Sequence, residues 1–241
     1  VGGRVWTRDR EALWDRFFEG YRRGLSNPDY RPTQPDIVRR MRGQASLTRA
    51  AFLAWGDKQM HPMEEAKAMS VVAGMEAVER LLRSEHPDLP PGYLSVIRAG
   101  WLHMGVGSSV TRKVLIRVQG PTTDPEDDEL IEAKEAPNLS GVRCLEAATT
   151  PPAVRVIDGT RQLGRLKRQI LAVAPSLLIP GAADRGERWL DWWVSNWEPS
   201  YREVHVSDLR SVKDLSDIVF DSGLQLGAGA PQDPAVRKQA L

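Results

Sequence analysis

The chain has 241 residues, 41% hydrophobic and 27% charged, a balance that excludes the low-hydrophobicity, high-charge composition of a disordered protein and leaves enough apolar material for a sizeable core. Thirty-three basic against 32 acidic residues give a net charge of +1, which excludes the strongly basic footprint of non-specific nucleic-acid binding, and a single cysteine, Cys144, excludes an internal disulfide or a multi-cysteine zinc site. No apolar run approaches the ~20 residues that cross a bilayer and no signal-peptide-like stretch opens the sequence, so a cytoplasmic chain with neither nucleic acid nor membrane as partner is expected.

From about Arg8 to Leu25 apolar residues recur at helical spacing, which predicts an amphipathic helix with Leu13, Trp14, Phe17, Phe18, Tyr21 and Leu25 on one broad face. Pro28, Pro32 and Pro35 break the pattern, and Pro35 suits the first position of a short helix running to about Met41. Further helices are predicted over Ser46 to Trp55 and Pro62 to Arg83. Residues 1–90 therefore read as a helical region, closed by the proline-rich joint His86 to Gly92, which no helix can cross.

Beyond the joint the periodicity changes. Tyr93 to Met104 and Arg112 to Gln119 read as strands around a Gly105-Val-Gly107-Ser108-Ser109 turn, and the acidic run Asp124 to Glu129 leads into a third strand, Leu130 to Ala136. Arg155 to Leu166 reads as a helix, with strands expected at Ile170 to Ile179 and Tyr201 to Val206. Trp189, Trp192, Trp193 and Trp197 recur at three- and four-residue spacing, which predicts a short helix whose aromatic face packs in the core or docks a protein partner. The fold class that results is α+β: a helical N-terminal region, a small mainly antiparallel sheet with a packed helix over 91–225, and a flexible tail over 226–241.

Taken alone, Gly105-x-Gly107 most often only supplies a turn that other residues cannot adopt. Its chemical use would be as a flap whose backbone N–H groups approach phosphate oxygens, with a hydroxyl donor from Ser108 or Ser109. Position bears on the choice. The glycine turn is followed by a second strand and then by a third carrying a lysine, Ile131-Glu132-Ala133-Lys134, close to the valine-alanine-isoleucine-lysine pattern of a kinase third strand. A lysine there can neutralise phosphate charge, although a solvated strand lysine is the plain alternative. The histidines His61, His86, His103 and His205 form no metal or catalytic pattern, and Asp124 to Glu129 lacks the alternating ligands of a calcium loop, so no metal site is assigned.

The runs Gly105 to Arg112, Ile131 to Ala136 and Arg155-Val-Ile-Asp-Gly-Thr-Arg161 together resemble three successive motifs of the bacterial domain-of-unknown-function 2252 family, grouped with protein-kinase-like folds. Phe17 to Leu25, the Pro35 helix and Val204 to Asp214 are also similar to segments of that family, so the likeness covers most of the chain. It implies a kinase-like nucleotide lobe that uses ATP with Mg2+ in the complete protein, acting on an unspecified acceptor substrate. Gly105, Gly107, Ser108 and Thr111 would line the flap, Lys134 would be the phosphate lysine, and Asp158 or else Glu146 would be its ion-pair partner. The family's Gly-Asp-x-His and Asp-Phe-Asp elements are missing here, so a fragment without phosphoryl transfer of its own is expected. A kinase-like scaffold that binds protein and never turns over nucleotide is the competing expectation.

Overall fold

The computed structural model describes residues 7–43, 48–104, 111–136, 151–164, 169–174, 191–197 and 204–230. Among them the chain forms six α-helices and a six-stranded, wholly antiparallel sheet, in two compact units: residues 1–46, 159–167 and 200–241 in one, 47–158 and 168–199 in the other. The mixed α+β class read from the sequence holds.

The first unit is helical. Helix α1, Thr7–Ser26, packs along α6, Val212–Ala228, and α2, Asp36–Gly43, starts one residue after Pro35. The contact between α1 and α6 is set by glycine. A Cβ on Gly20 would stand 2.2 Å from the Phe220 carbonyl oxygen, and one on Gly223 would stand 2.1 Å from that of Phe17. Gly24 meets Leu224 and Gly227 meets Tyr21 in the same way, so the two helices run parallel with their backbones in contact.

This packing shifts the buried stripe of α1 from the one the aromatics predict. Gly20, Gly24 and Leu25 are buried, while Trp14 and Phe18 stack on each other in the open, 61% and 47% exposed. Ser211 caps α6 by accepting from the Asp214 N–H, and Asp214 in turn accepts from Arg40 of α2 at 3.0 and 3.3 Å and from the Arg210 N–H at 2.8 Å. Two expectations fail in this region. Val206–Asp208 forms a 3-10 turn in place of the end of a strand, and Val212–Ala228 forms a helix that the sequence reading did not expect, running into the segment read as tail. Val204 and Val206 pair with no strand among the described residues, and both side chains are exposed.

The second unit is built on the sheet, in the order β1-β2-β3-β4-β6-β5: β1 Met60–His61, β2 Val96–Leu102, β3 Lys113–Val118, β4 Glu129–Ala136, β5 Leu171–Ala174 and β6 Asp191–Asn196. Helix α3, Arg49–Gln59, is capped by Thr48 and shares one core with one sheet face: Phe52, Leu53, Met60, Leu102, Leu115 and Leu130. Helix α4, Glu65–Glu85, shares the other, with Val71, Met75, Val78 and Leu82 among Val114, Ile116, Ile131, Ala133, Trp192 and Val194. Alternation along β3 and β4 sends successive residues to these two cores, which is why both strands are buried nearly throughout. Between α4 and β2 the proline-rich joint ends on two residues with positive φ, Gly92 (81°) and Leu94 (69°).

The tryptophan segment is not a helix. Asp191–Asn196 is strand β6, hydrogen-bonded to β4 on one side and β5 on the other. Trp192 is buried in the α4-side core, Trp193 lies on the opposite face, and Trp197 stacks on Trp55 of α3 at 5.3 Å. A 193, 195, 197 alternation satisfies the two-residue period as well as the tryptophans satisfy the helical one, and pairing on both sides decides between them. Trp189 lies outside the described residues.

Candidate functional site

Helix α5, Pro152–Leu163, follows the sheet meander in sequence, with Ala153 and Ile157 buried. The division between the two units falls within it, between Asp158 and Gly159.

The meander β2-β3-β4 places the residues on which the chemistry was read. Gly105, Gly107 and Ser108 belong to the β2–β3 connection and lie outside the described residues, as do Cys144 and Glu146. Thr111 is half-buried two residues before β3 begins. Lys134 stands near the end of β4 on the face shared with α3, directly across from Lys113, the first residue of β3.

Its partner is a carboxylate from its own strand. Lys134 Nζ lies 2.9 Å from Glu132 Oε2, and the Trp197 indole N–H donates to that same oxygen at 3.0 Å. Residues i and i+2 of a strand share a face, so the pair forms without help from a distant element. Glu132 is buried and Lys134 keeps 30% of its side chain exposed. Burying a carboxylate is costly unless it is paired and hydrogen-bonded, and these two donors meet that condition. The Lys134 ammonium also sits 5.2 Å from the centre of the Trp193 ring, which orders it further.

Asp158, the partner implied by resemblance, is exposed on α5 and makes no ion pair among the described residues. Sequence reasoning passed over Glu132 because a helix carboxylate was sought. The signal was local, an acid two residues before the lysine in a strand.

Two further polar groups flank the site. Lys113 Nζ donates to the Met104 carbonyl at 2.9 Å, tying the start of β3 to the residue where the described part of the β2–β3 connection stops. Farther along the same face, Arg117 bridges Asp57 of α3 at 2.8 Å and Asp128 at 2.7 Å. Burial works against the Arg117 charge, but hydrogen bonds to Asp128 and Asp57 outweigh it and raise the pKa above the ordinary arginine value. That guanidinium is fully committed to structure.

His103, next to the glycine segment, stacks its ring on exposed His61 of β1 at 4.6 Å and 29°. Among the described residues no group of three or more His, Cys, Asp or Glu side chains is placed to hold a metal ion. A groove of about 350 Å3 belongs to the helical unit and is lined by Arg23, Tyr30, Arg39, Lys213, Asp217 and Phe220 among others. No protein-family model, curated protein or solved structure matches the chain.

Proposed function

We propose that the sheet unit is the nucleotide-binding lobe of a kinase-like phosphotransferase, taking ATP with Mg2+ in the complete protein and acting on a still unspecified acceptor. The observation that carries the reading is the place of Lys134. It is a half-exposed ammonium on the third strand of an antiparallel meander, steadied by a buried carboxylate, at the end of the strands from which the Gly105 to Ser108 connection departs. A point cation so placed suits phosphate oxygens, and glycine backbone N–H groups are the other donors that such a ligand commonly uses.

The residues fit the two parts of the cofactor unequally. Lys134 and Thr111 are of the right type for phosphate. Glu132, the carboxylate nearest Lys134, is already engaged by an ammonium and an indole N–H, so Mg2+ would need ligands from other residues. This chain's part is binding and orientation of the phosphates.

A second reading, a kinase-like scaffold that never turns over nucleotide, is favoured by one observation. Lys134 is paired within its own strand while Asp158 stands apart, so among the described residues no helix carboxylate completes the usual kinase arrangement. Calorimetric titration of ATP with Mg2+ into the protein and its Lys134→Ala variant separates the two. Saturable binding that the variant loses supports the lobe, whereas no heat at millimolar nucleotide leaves the scaffold.

A further inference from the structure

We propose that Lys113 is a second anion-binding residue and that with Lys134 it forms a two-ammonium seat for the oxyanions of a polyphosphate. The inference rests on the nucleotide-lobe reading and deepens it by stating how the phosphate end is held.

The argument begins with register. Lys113 and Lys134 are direct cross-strand partners in the β3–β4 ladder, so their side chains leave the same face. Such partners have Cβ atoms about 5 Å apart, and like charges placed there repel, which is why strands ordinarily put opposite charges or neutral residues in that relation. Here two lysines stand opposite each other, and the one carboxylate paired with either of them among the described residues, Glu132, belongs to Lys134. Glu132 neutralises Lys134, whereas Lys113 makes no ion pair among the described residues and donates only to the Met104 carbonyl.

The neighbouring charges do not alter that balance. Arg117 on the same face is occupied by Asp57 and Asp128, and the Arg112–Glu135 pair leaves the opposite face. Among the described residues one positive charge is therefore uncompensated at the end of the meander next to the β2–β3 connection.

A polyphosphate relieves the arrangement. One oxyanion bridging two ammonium groups turns repulsion into two charge-assisted hydrogen bonds, and an ammonium has three donors, so Lys113 and Lys134 keep their protein acceptors while binding it. The class of ligand follows: a di- or triphosphate, whose adjacent oxyanions span two cations, in preference to a single carboxylate.

The probes are inorganic tripolyphosphate, ATP and adenosine, titrated by calorimetry into the full chain at low salt. The variants are Lys113→Met, Lys113→Arg, Lys113→Gln and Lys134→Met, with melting curves checking that each folds. Lys113→Gln keeps a donor for the Met104 carbonyl and removes only the charge, so it serves if Lys113→Met does not fold. Tripolyphosphate is expected to bind wild type, to bind roughly ten-fold more weakly on loss of the Lys113 charge, and to recover most of its affinity with Lys113→Arg. If Lys113→Met and Lys113→Gln bind tripolyphosphate and ATP like wild type while Lys134→Met is weakened, the Lys113 inference is overturned and the nucleotide-lobe reading stands. If the charge-removing variants at both lysines weaken tripolyphosphate but ATP binds no tighter than tripolyphosphate, the seat stands and the nucleotide reading falls. No binding of either anion by wild type overturns both.

Discussion

Gly24 of α1 lies against the backbone of Leu224 of α6 so closely that a Cβ on the glycine would stand 2.2 Å from the Leu224 carbonyl oxygen. The obstruction is main chain on a packed helix, so a rotamer change cannot relieve it. Gly20, Gly223 and Gly227 repeat the relation, and the helix pair depends on four absent methyl groups.

Glycine-to-alanine substitution in a helix normally stabilises by about 0.5–1 kcal/mol. Gly24→Ala and Gly223→Ala are expected to reverse that sign and cost about 1–3 kcal/mol, the range of overpacked sites. Gly159→Ala, in α5 with no atom of the described residues within 4 Å of its Cβ position, should stabilise. Melting temperatures of the three variants test this, and destabilisation by Gly159→Ala or none by Gly24→Ala would contradict the packing.

Asp214 supplies a pH test. Hydrogen bonds from Arg40 and from the Arg210 N–H hold its carboxyl below the ordinary aspartate range. The charged form is favoured in the folded state, so this stabilisation is present above the ordinary value near 4 and disappears as pH falls through the lower folded value. Asp214→Asn should therefore be less stable than wild type at neutral pH, with the gap closing in strong acid. Urea midpoints across pH 2–7 read it, and a gap independent of pH would refute the ion pair.

Tyr93 tests the alkaline limb. Burial, and secondarily the Glu129 charge, push its phenol up to about 12. The neutral form is favoured in the fold, so stability is intact below about 10, where an unfolded tyrosine ionises, and declines from there toward 12. Tyr93→Phe should flatten that decline in unfolding curves taken between pH 9 and 12.

Lys134 and Glu132 must be tested together, because removing the lysine leaves a buried carboxylate with only the Trp197 N–H. Lys134→Met is expected to lose about 1–3 kcal/mol, the cost of a buried group left short of partners, and Glu132→Gln in the same chain should restore part of it. A double-mutant cycle with a coupling near zero would show the pair to be idle. The stability loss also means that weakened nucleotide binding by a Lys134 variant counts only when measured well below its melting temperature.

The meander was legible because its strands are rich in Val, Ile and Leu with partial alternation and are separated by glycine and acidic turn signals, a pattern that their residues carry locally. The helices α1 and α4 were legible for the same reason. β6 was misread because its tryptophans satisfy two periods at once, and only hydrogen bonding to β4 and β5 separates them. The Lys134 partner was misplaced because resemblance pointed to a helix, while the adjacent acid in the strand met the lysine first.

By itself, then, the order of residues determined α1, α4 and the three strands of the meander and put a lysine on the third of them, since those properties depend on neighbours a few positions away. Which face of α1 is buried, that the Trp197 indole shares the Glu132 carboxylate, and that Lys113 stands opposite Lys134 were decided by the tertiary structure. Each depends on contacts between segments distant in sequence, Gly24 with Leu224, Trp197 with Glu132, β3 with β4, and no local period encodes such a meeting.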